Sequence, residues 1–510
     1  MVQFVQGKII NMLWAALECK TFAEYHDFYL NLDVYLLADV FENFRRFAHK
    51  TYGLDPSHSF TMPGFSWGAL FAGKYKGGSM PMLELISDPD MYMAFESSLR
   101  GGVCVASNRM VNANHPSLPG YDEKQPKRRI RYDDANNLYG WAMIQKLPMR
   151  QFKWADAETY TTEYIMNMDD DADIGAHLCV DVEYPDEIHD EHADFPLMPE
   201  SREVAYDELS AHSKKVSPTK YVPCAKLVPS LHNKTEYWIH YRNLKYAIEK
   251  GLKITKVHKV IEYKQEAWMN RYIMFNTKQR ASAKNDFEKD MFKLMNNSVF
   301  GKAMQNLRLQ RDIQIVGIGE KRWNKIVSNP GYKGRGNDDG GCIGGDLYVI
   351  ENAKSTLKLN MPMYVGSSIL DLSKLHMQKF WYDFVRPRYP NAKLHYTDTD
   401  SLIYSIETKD ELAVEFAGVK GSMFDTSGYP KDHPAYSTAN KKVLGKFKDE
   451  ANGDAILAVV CLAPKSYAMK TTHELTKKCK GTKKNVVKKQ ITYEDYEHCL
   501  LTGKSKTNSQ

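Results

Sequence analysis

Tyr396-Thr397-Asp398-Thr399-Asp400-Ser401 is the stretch on which the reading of this 510-residue chain turns. Two β-rich runs, Leu394 to Thr397 and Leu402 to Ile406, flank it, so it reads as the tip of a hairpin. Its two carboxylates stand two residues apart, where strand alternation points both to one side unless the turn redirects one. Paired acids are costly without a cation. Hard divalent ions such as Mg²⁺ take one or two carboxylates plus substrate phosphates, so this tip suits a metal held at a triphosphate. An Asp-rich turn with ordinary turn preferences would carry the same residues, and partners elsewhere in the chain have to decide between the two.

Two segments offer such partners. In Arg131-Tyr-Asp133-Asp134-Ala-Asn-Asn137-Leu138-Tyr139-Gly140 a β-like run ends in an acid and leads into a helical stretch through Leu147. A strand end of this kind can present a carboxylate and a backbone carbonyl to one metal, although Asp and Asn also cap helices well. In Lys293-Leu-Met-Asn-Asn297-Ser298-Val-Phe300-Gly301, helical spacing puts Lys289, Lys293, Asn297 and, one step on, Phe300 with Gly301 on one face. A lysine, an amide, an aromatic ring and a close-approach glycine would serve a triphosphate and a base; a plain amphipathic helix would look similar.

Taken together and in chain order, the three segments resemble motifs A, B and C of family B DNA polymerases. Asp134 to Tyr139 is similar to motif A, Asp-x-x-Ser-Leu-Tyr, with Asn137 in place of Ser. Lys293 to Gly301 is similar to motif B, Lys-x3-Asn-Ser-x-Tyr-Gly, with Phe300 in place of Tyr, which removes a hydroxyl and keeps the ring. Tyr396 to Ser401 meets motif C, Tyr-x-Asp-Thr-Asp-Ser, at every fixed position. Lys465-Ser-Tyr467 resembles the family's Lys-x-Tyr motif, and Leu444-Gly-Lys-Phe-Lys448 precedes it as expected on the way into the thumb. The long insertion between motifs A and B, the Asn-Leu-Tyr-Gly form of motif A and the turn Arg100-Gly101-Gly102 resemble the protein-primed, organellar and viral type B branch, above all the self-synthesising transposon and virus members from eukaryotes. There a Tyr usually precedes Arg-Gly-Gly; here it is Leu99.

The resemblance implies an α/β (α+β) right-hand polymerase with palm, fingers and thumb, and a remnant of a ribonuclease H-like exonuclease domain. It divides the chain into an exonuclease remnant (1–50), a connection and start of palm (51–130), palm with motif A (131–155), an insertion on which a priming protein would dock (156–270), and fingers with motif B (271–305). A second insertion with a palm helix (306–390), palm with motif C (391–443) and thumb (444–510) would follow. Asp134, Asp398 and Asp400 would be catalytic, with Asp134 and Asp400 holding two Mg²⁺ ions, for which Mn²⁺ could substitute, and Asp398 secondary. Tyr139, Arg280, Lys289, Lys293, Asn297 and Phe300 would bind the nucleotide. Arg100, Gly101, Gly102, Tyr396, Thr399, Ser401, Lys465 and Tyr467 would contact DNA. The implied partners are DNA template and primer, deoxynucleoside triphosphates and a terminal (priming) protein.

Tyr29-Leu-Asn-Leu-Asp33 is similar to the Tyr-x3-Asp third exonuclease motif, and Tyr35 with Asp39 fits by spacing as well. The other exonuclease motifs belong upstream, where this chain has no room for them, so an N-terminally shortened enzyme without its own proofreading is expected. Asp181-Val-Glu183 has the letters of the first exonuclease motif but follows motif A, and reads as an ordinary strand. Two rival readings stay open: a catalytically silent DNA-binding remnant, and an RNA-templated polymerase, although the latter carries adjacent aspartates at motif C.

Composition agrees with a globular protein of about three domains, 43% hydrophobic. The net charge of +6 is too mild to demand a nucleic-acid partner, but Lys465 to Lys489 gathers nine lysines with one acid, Glu474. The eight cysteines are scattered without a CxxC pair, as reduced thiols in an intracellular compartment would be, with nucleus and cytoplasm undistinguished. The apolar run Ile9 to Leu17 lacks a cleavage site, and no stretch approaches a membrane span. Spacing predicts helices over Phe22 to His49, Glu236 to Lys250, Arg280 to Gln305 and Ile369 to Arg386, a separate insertion over 155–270, and a flexible loop from Pro330 to Gly345. Glu187 to His192 reads as a solvated acidic loop, and Gly340 to Gly345 lacks the Gly-Lys-Ser/Thr of a phosphate loop.

Overall fold

Alternating apolar side chains with few turn formers build the central sheet, and its strands carry the two acidic segments. The computed structural model describes residues 12–73, 81–216, 221–319, 321–335, 342–344, 346–408 and 423–506. Residues 9–11 of the N-terminal apolar run, and 336–341 and 345 of the glycine-rich stretch, lie outside the described residues. The sheet has six strands in the order Cys104–Ala106, Lys393–Asp398, Ser401–Glu407, Arg128–Ala135, Phe447–Asp449 and Phe424–Asp425. All neighbours are antiparallel except the last pair. Because Phe447–Asp449 pairs with Arg128–Ala135, this piece of the expected thumb joins the central six-stranded sheet.

Both faces of the sheet are covered, and its strands are buried or half-buried almost throughout, charged residues of Arg128–Ala135 included. On one face lies the helix Met363–Lys379 with a π-helical continuation Phe380–Val385. Trp381 meets Tyr404 edge-on, and Phe380 stacks on Phe447 at 3.7 Å. On the other face Ile130, Tyr132, Tyr396 and Ile403 pack with Val459, Tyr467 and Met469 of a second sheet, ordered Met110–Asn112, Ile456–Ala463, Ser466–Thr471, Leu475–Cys479. The lysine-rich segment thus forms strands and the helix Lys484–Lys489.

The insertion is not separate. Its sheet, Leu147–Ala155, Lys253–Glu266, Ile174–Glu183, Lys234–His240, shares one hydrophobic cluster with Ile369, Leu372 and Leu375 of the palm helix. Asp371 on that helix accepts from the His240 backbone N–H at 3.1 Å, and its carbonyl from Asn243 Nδ2 at 2.8 Å. The helix expected from Glu236 starts later, as Tyr241–Glu249, because Tyr237 and Ile239 alternate into the core as strand residues. Similarly, the helical run around motif B breaks into Asn270–Ser282 and Asp286–Ala303, where the Asn285 side chain caps the second helix by accepting from Glu288 N at 2.8 Å. In the stretch read as a flexible loop, Tyr332–Arg335 and Cys342–Gly344 are strands that pair with Leu347–Ala353; the partner strand, not local composition, orders them.

The first long helix, Phe22–Tyr52, has a Thr21/Glu24 capping box and ends at Gly53 in the left-handed region. Tyr52 fastens it to the helix Asn270–Ser282 by donating to Asn276 Oδ1 at 2.8 Å. Tyr29, Asp33, Tyr35 and Asp39 all stand exposed, so neither register of the exonuclease-like motif is built into a site among the described residues. None of the described helices is long and apolar enough to cross a membrane.

Four core histidines give the fold a pH dependence. Burial pushes His177 down to about 3, and His192, His376 and His395 down to about 4. In the unfolded chain they titrate near ~6.5, so between about pH 4 and 6.5 the unfolded state binds more protons and stability falls as the solution is acidified. His177 lies between the rings of Phe95 and Trp238, at 4.8 and 5.6 Å, a slot that fits a phenyl ring. His177→Phe should therefore shallow the fall of melting temperature over this window. An unchanged slope in a Tm-against-pH series would show that His177 already carries its proton in the folded protein.

Candidate active site

The strand Arg128–Ala135 sends neighbouring acids to opposite faces. Asp133, fully buried, shares a face with Arg131 and Ala135; Asp134 shares one with Ile130 and Tyr132. Asp133 is consumed by the fold: it pairs with the Arg131 guanidinium, which also reaches Asp449 at 3.7 Å, and accepts from the Tyr404 hydroxyl at 2.6 Å. Among the described residues Asp134 has no ion-pair partner, although the charges of Lys448 and Lys478 act on it. It lies opposite Ser401 on one side and Lys448 on the other, and Ala135 N donates to the Asp400 carbonyl at 2.7 Å, which holds the hairpin tip beside it.

The tip is a tight turn. Asp400 N donates to the Asp398 carbonyl at 2.7 Å, and Thr399, between them, adopts φ 65°, a backbone that β-branched residues rarely accept. What over-determines it is the Arg100-Gly101-Gly102 turn: Thr399 N donates to the Val103 carbonyl at 2.8 Å, and a Cβ on Gly102 would fall 2.2 Å from Thr399 Oγ1. Gly101, with nothing within 4 Å of such a Cβ, has room. Gly102→Ala should displace the tip and slow nucleotide incorporation by about 10²-fold, the cost of a reacting group misplaced by roughly an ångström. Gly101→Ala should stay near the parent; equal rates for both in a primer-extension assay would remove this role from Gly102.

The carboxylates differ in charge balance. Burial, then the Asp400 charge and Glu450, push Asp134 up to about 8. Burial likewise raises Asp400, with Asp398 and Glu450 adding to it. Asp398 is neutralised instead, both oxygens lying 2.9 Å from Lys465 Nζ. Two half-buried acids raised by burial, the Asp400 charge adding to the shift of Asp134, with the third already paired, suit a divalent cation. Among the described residues no three His, Cys, Asp or Glu side chains form a ready-made cage, so substrate oxygens and water would complete the coordination of any ion here.

The other expected residues divide. Tyr139 and Phe300 come together from motifs A and B with rings stacked at 4.3 Å, and burial with Asp400 and Asp398 pushes the Tyr139 hydroxyl up to about 12. Asn137 takes φ 46° and its side chain accepts from Gly140 N at 3.2 Å; Asn tolerates that left-handed cap better than Ser. Arg280 and Lys293 line a cavity of about 430 Å³ with Asn136 and Asn137 of the palm. Lys289 pairs with Asp286 at 3.0 Å on the exposed side, and Asn297 is exposed while its neighbour Asn296 is the buried amide, bonded to Asn276 Nδ2 at 2.9 Å.

Direct DNA contact is corrected for four residues. The guanidinium of Arg100 sits over the Tyr237 ring at 3.7 Å and donates to the Trp238 carbonyl at 2.8 Å, so it ties the turn to the insertion. Tyr396, Ser401 and Tyr467 are buried, with relative exposures of 1, 3 and 1%. The two tyrosines support from within: Lys465 N donates to the Tyr396 hydroxyl at 2.9 Å, and Tyr467 shares a hydroxyl bond of 3.1 Å with Tyr132. Lys465 keeps its side chain at the site, half exposed. Glu450, Lys448 and Lys442 were not anticipated; Lys442, Lys448 and Glu450 line the cavity, and Lys448 and Glu450 adjoin Asp134. For Lys448 and Glu450 the only sequence signal is the alternating run after Gly445, whose pairing with the motif-A strand is nonlocal; Lys442, before Gly445, has none.

Residues 17–387 match the family model of DNA polymerase type B, organellar and viral. Among solved structures, Phi29 DNA polymerase in its orthorhombic crystal form is 14% identical with a TM-score of 0.48, covering 86% of this chain and 63% of that one. Phi29 DNA polymerase complexed with primer-template DNA and incoming nucleotide substrates gives 14%, 0.49, 86% and 62%. The family B DNA polymerase from the hyperthermophilic archaeon Pyrobaculum calidifontis gives 11%, 0.30, 92% and 41%. This chain therefore spans less than two thirds of the length of the Phi29 polymerase chains. No curated protein matches the sequence.

Proposed function

Since the chain belongs to the organellar and viral type B DNA polymerases, we propose that it extends a DNA primer by template-directed transfer of deoxynucleotides at the site where Asp134 and Asp400 meet. One observation carries this: Asp134 and Asp400 are held together, half-buried and without an ion-pair partner among the described residues, while Asp398 is paired with Lys465. Divalent cations, Mg²⁺ or Mn²⁺, bound by Asp134 and Asp400 would lower the pKa of the primer hydroxyl and neutralise charge on the triphosphate.

The remaining work falls to the chain's own residues. The primer 3′-oxygen forms a bond to the α-phosphorus as the bond from that phosphorus to the α–β bridging oxygen breaks; pyrophosphate leaves and the hydroxyl proton passes to solvent. Arg280 and Lys293, facing the cavity from the fingers, hold the triphosphate. Tyr139, stacked on Phe300, lies beneath the sugar, where its ring leaves no room for a 2′-hydroxyl, and Phe300 packs beside the base. Lys465 stands at the primer strand and holds Asp398 out of the metal site. The sequence resemblance supports initiation on a hydroxyl of a priming protein docked on residues 156–270, passage of template along residues 306–360, and an origin in a mobile element or virus.

Primer extension with Mg²⁺ on DNA and RNA templates tests the reading. DNA-templated products are expected with RNA a poor template; a folded protein that extends neither, or prefers RNA, would sink it.

A further inference from the structure

Between the catalytic hairpin and the strand Phe447–Asp449 runs a segment that no motif singles out, and it carries Lys441 and Lys442. Lys442 lines the same cavity of about 430 Å³ as Arg280 and Lys293, but from the palm side. Its backbone is fixed there: φ is 57°, and its N–H donates to Asp425 Oδ2 at 2.8 Å. Asp425 also receives Asn136 Nδ2 at 2.8 Å and Ser427 N at 3.1 Å, so its carboxylate is committed to shaping the loop.

The lining holds four cations, Arg280, Lys293, Lys442 and Lys448, against two acids, Asp425 and Glu450. Lys448 is engaged by Glu450 at 3.2 Å. Arg280 Nε is buried without a hydrogen-bond partner among the described residues. The cations crowd one another: burial, then Arg280, Lys441 and Lys289, lower the Lys442 ammonium from its ordinary value. Like charges gathered round a cavity are relieved by an anion within it. Glu450 and Lys448 adjoin Asp134, and Asn137 opens the helix that carries Tyr139, so the anion would sit within reach of the reacting phosphate.

We propose that Lys442 binds the β- and γ-phosphates of the incoming nucleotide, and the departing pyrophosphate, from the palm side opposite Arg280 and Lys293. This rests on the polymerase reading and adds a residue to it. A lysine suits the task, because a compact ammonium on a flexible stem can follow the phosphates from substrate to product.

The test compares wild type with Lys442→Gln, Lys442→Arg and, as a neighbour that does not line the cavity, Lys441→Gln. The readouts are KM and kcat for a deoxynucleoside triphosphate on a primer-template, and the apparent affinity for inorganic pyrophosphate in primer pyrophosphorolysis. Loss of a charge-assisted contact made equally in ground and transition states should raise KM about ten- to a hundredfold in Lys442→Gln with kcat much less changed. Pyrophosphate affinity should fall in parallel, Lys442→Arg should recover most of both, and Lys441→Gln should behave as wild type. In the wild-type protein, lysine acetylation read by mass spectrometry should slow at Lys442 when primer-template and nucleotide are added, which keeps the proposal testable if Lys442→Gln does not fold. Unchanged KM and pyrophosphate affinity, or acetylation of Lys442 indifferent to nucleotide, would overturn it while leaving an active polymerase. A wild type that incorporates nothing would fail the polymerase reading itself.

Discussion

Asp400→Asn is expected to slow single-nucleotide incorporation by at least about 10³-fold, the scale on which removal of one preorganised charge-stabilising group acts, while leaving the protein at least as stable as the parent. The activity loss follows because Asp134 and Asp400, both half-buried beside the hairpin tip, have no ion pair with a cationic side chain among the described residues. The stability gain follows from the same fact. Burial raises both carboxyls and the Asp400 charge raises Asp134 further, so an uncharged amide at position 400 relieves Asp134. Function is thus held at a strain the fold would release, the usual trade of active sites. A thermal melt beside the incorporation assay checks both halves. An active Asp400→Asn, or an inactive one that has lost its fold, would contradict the assignment.

Asp133→Ala, one residue from Asp134, should do the reverse and cost about 3–5 kcal/mol of stability, the loss expected when one partner of a buried ion pair is removed. Arg131 is 5% exposed at its side chain and depends on Asp133 for its main partner, with Asp449 farther off at 3.7 Å. The Tyr404 hydroxyl loses its acceptor as well. Urea titration of the variant measures the loss directly. A midpoint close to the parent's would mean that the Arg131 network is not what secures the centre of the sheet.

The contrast between Asp133 and Asp134 shows what could be read without coordinates. The hairpin letters picked out Asp398 and Asp400 as candidates, because tight turns are local properties of the chain, whereas Asp134 was picked out by the resemblance to motif A. The stacking of Tyr139 on Phe300 could be anticipated only through the family resemblance, since 160 intervening residues separate them. Local signals failed where a distant strand decided the outcome. Tyr237 to His240 became a strand because Ile174–Glu183 pairs with it, and the glycine-rich 332–335 and 342–344 were ordered by Leu347–Ala353.

The motif letters also do not say which way a side chain faces. Arg100, Tyr396 and Tyr467 were expected at DNA and are turned into the protein, where aromatic rings and carbonyls satisfy them better than a strand at the surface would. Gly102 came out with a definite role, the close approach to Thr399, that no spacing could have supplied. Lys442 and Glu450 had no motif to mark them and entered only through the packing of a palm strand beside Asp134.

The central claim is that Asp134 and Asp400 make this protein a template-directed DNA polymerase. It is tested most directly by offering each deoxynucleoside triphosphate singly, with Mg²⁺, to wild type and Asp400→Asn on four primer-templates that differ only in the next template base. The predicted result is addition of the complementary nucleotide alone by wild type, abolished by chelation, and no addition by Asp400→Asn. Addition that ignores the template base, or that survives in Asp400→Asn, would contradict it.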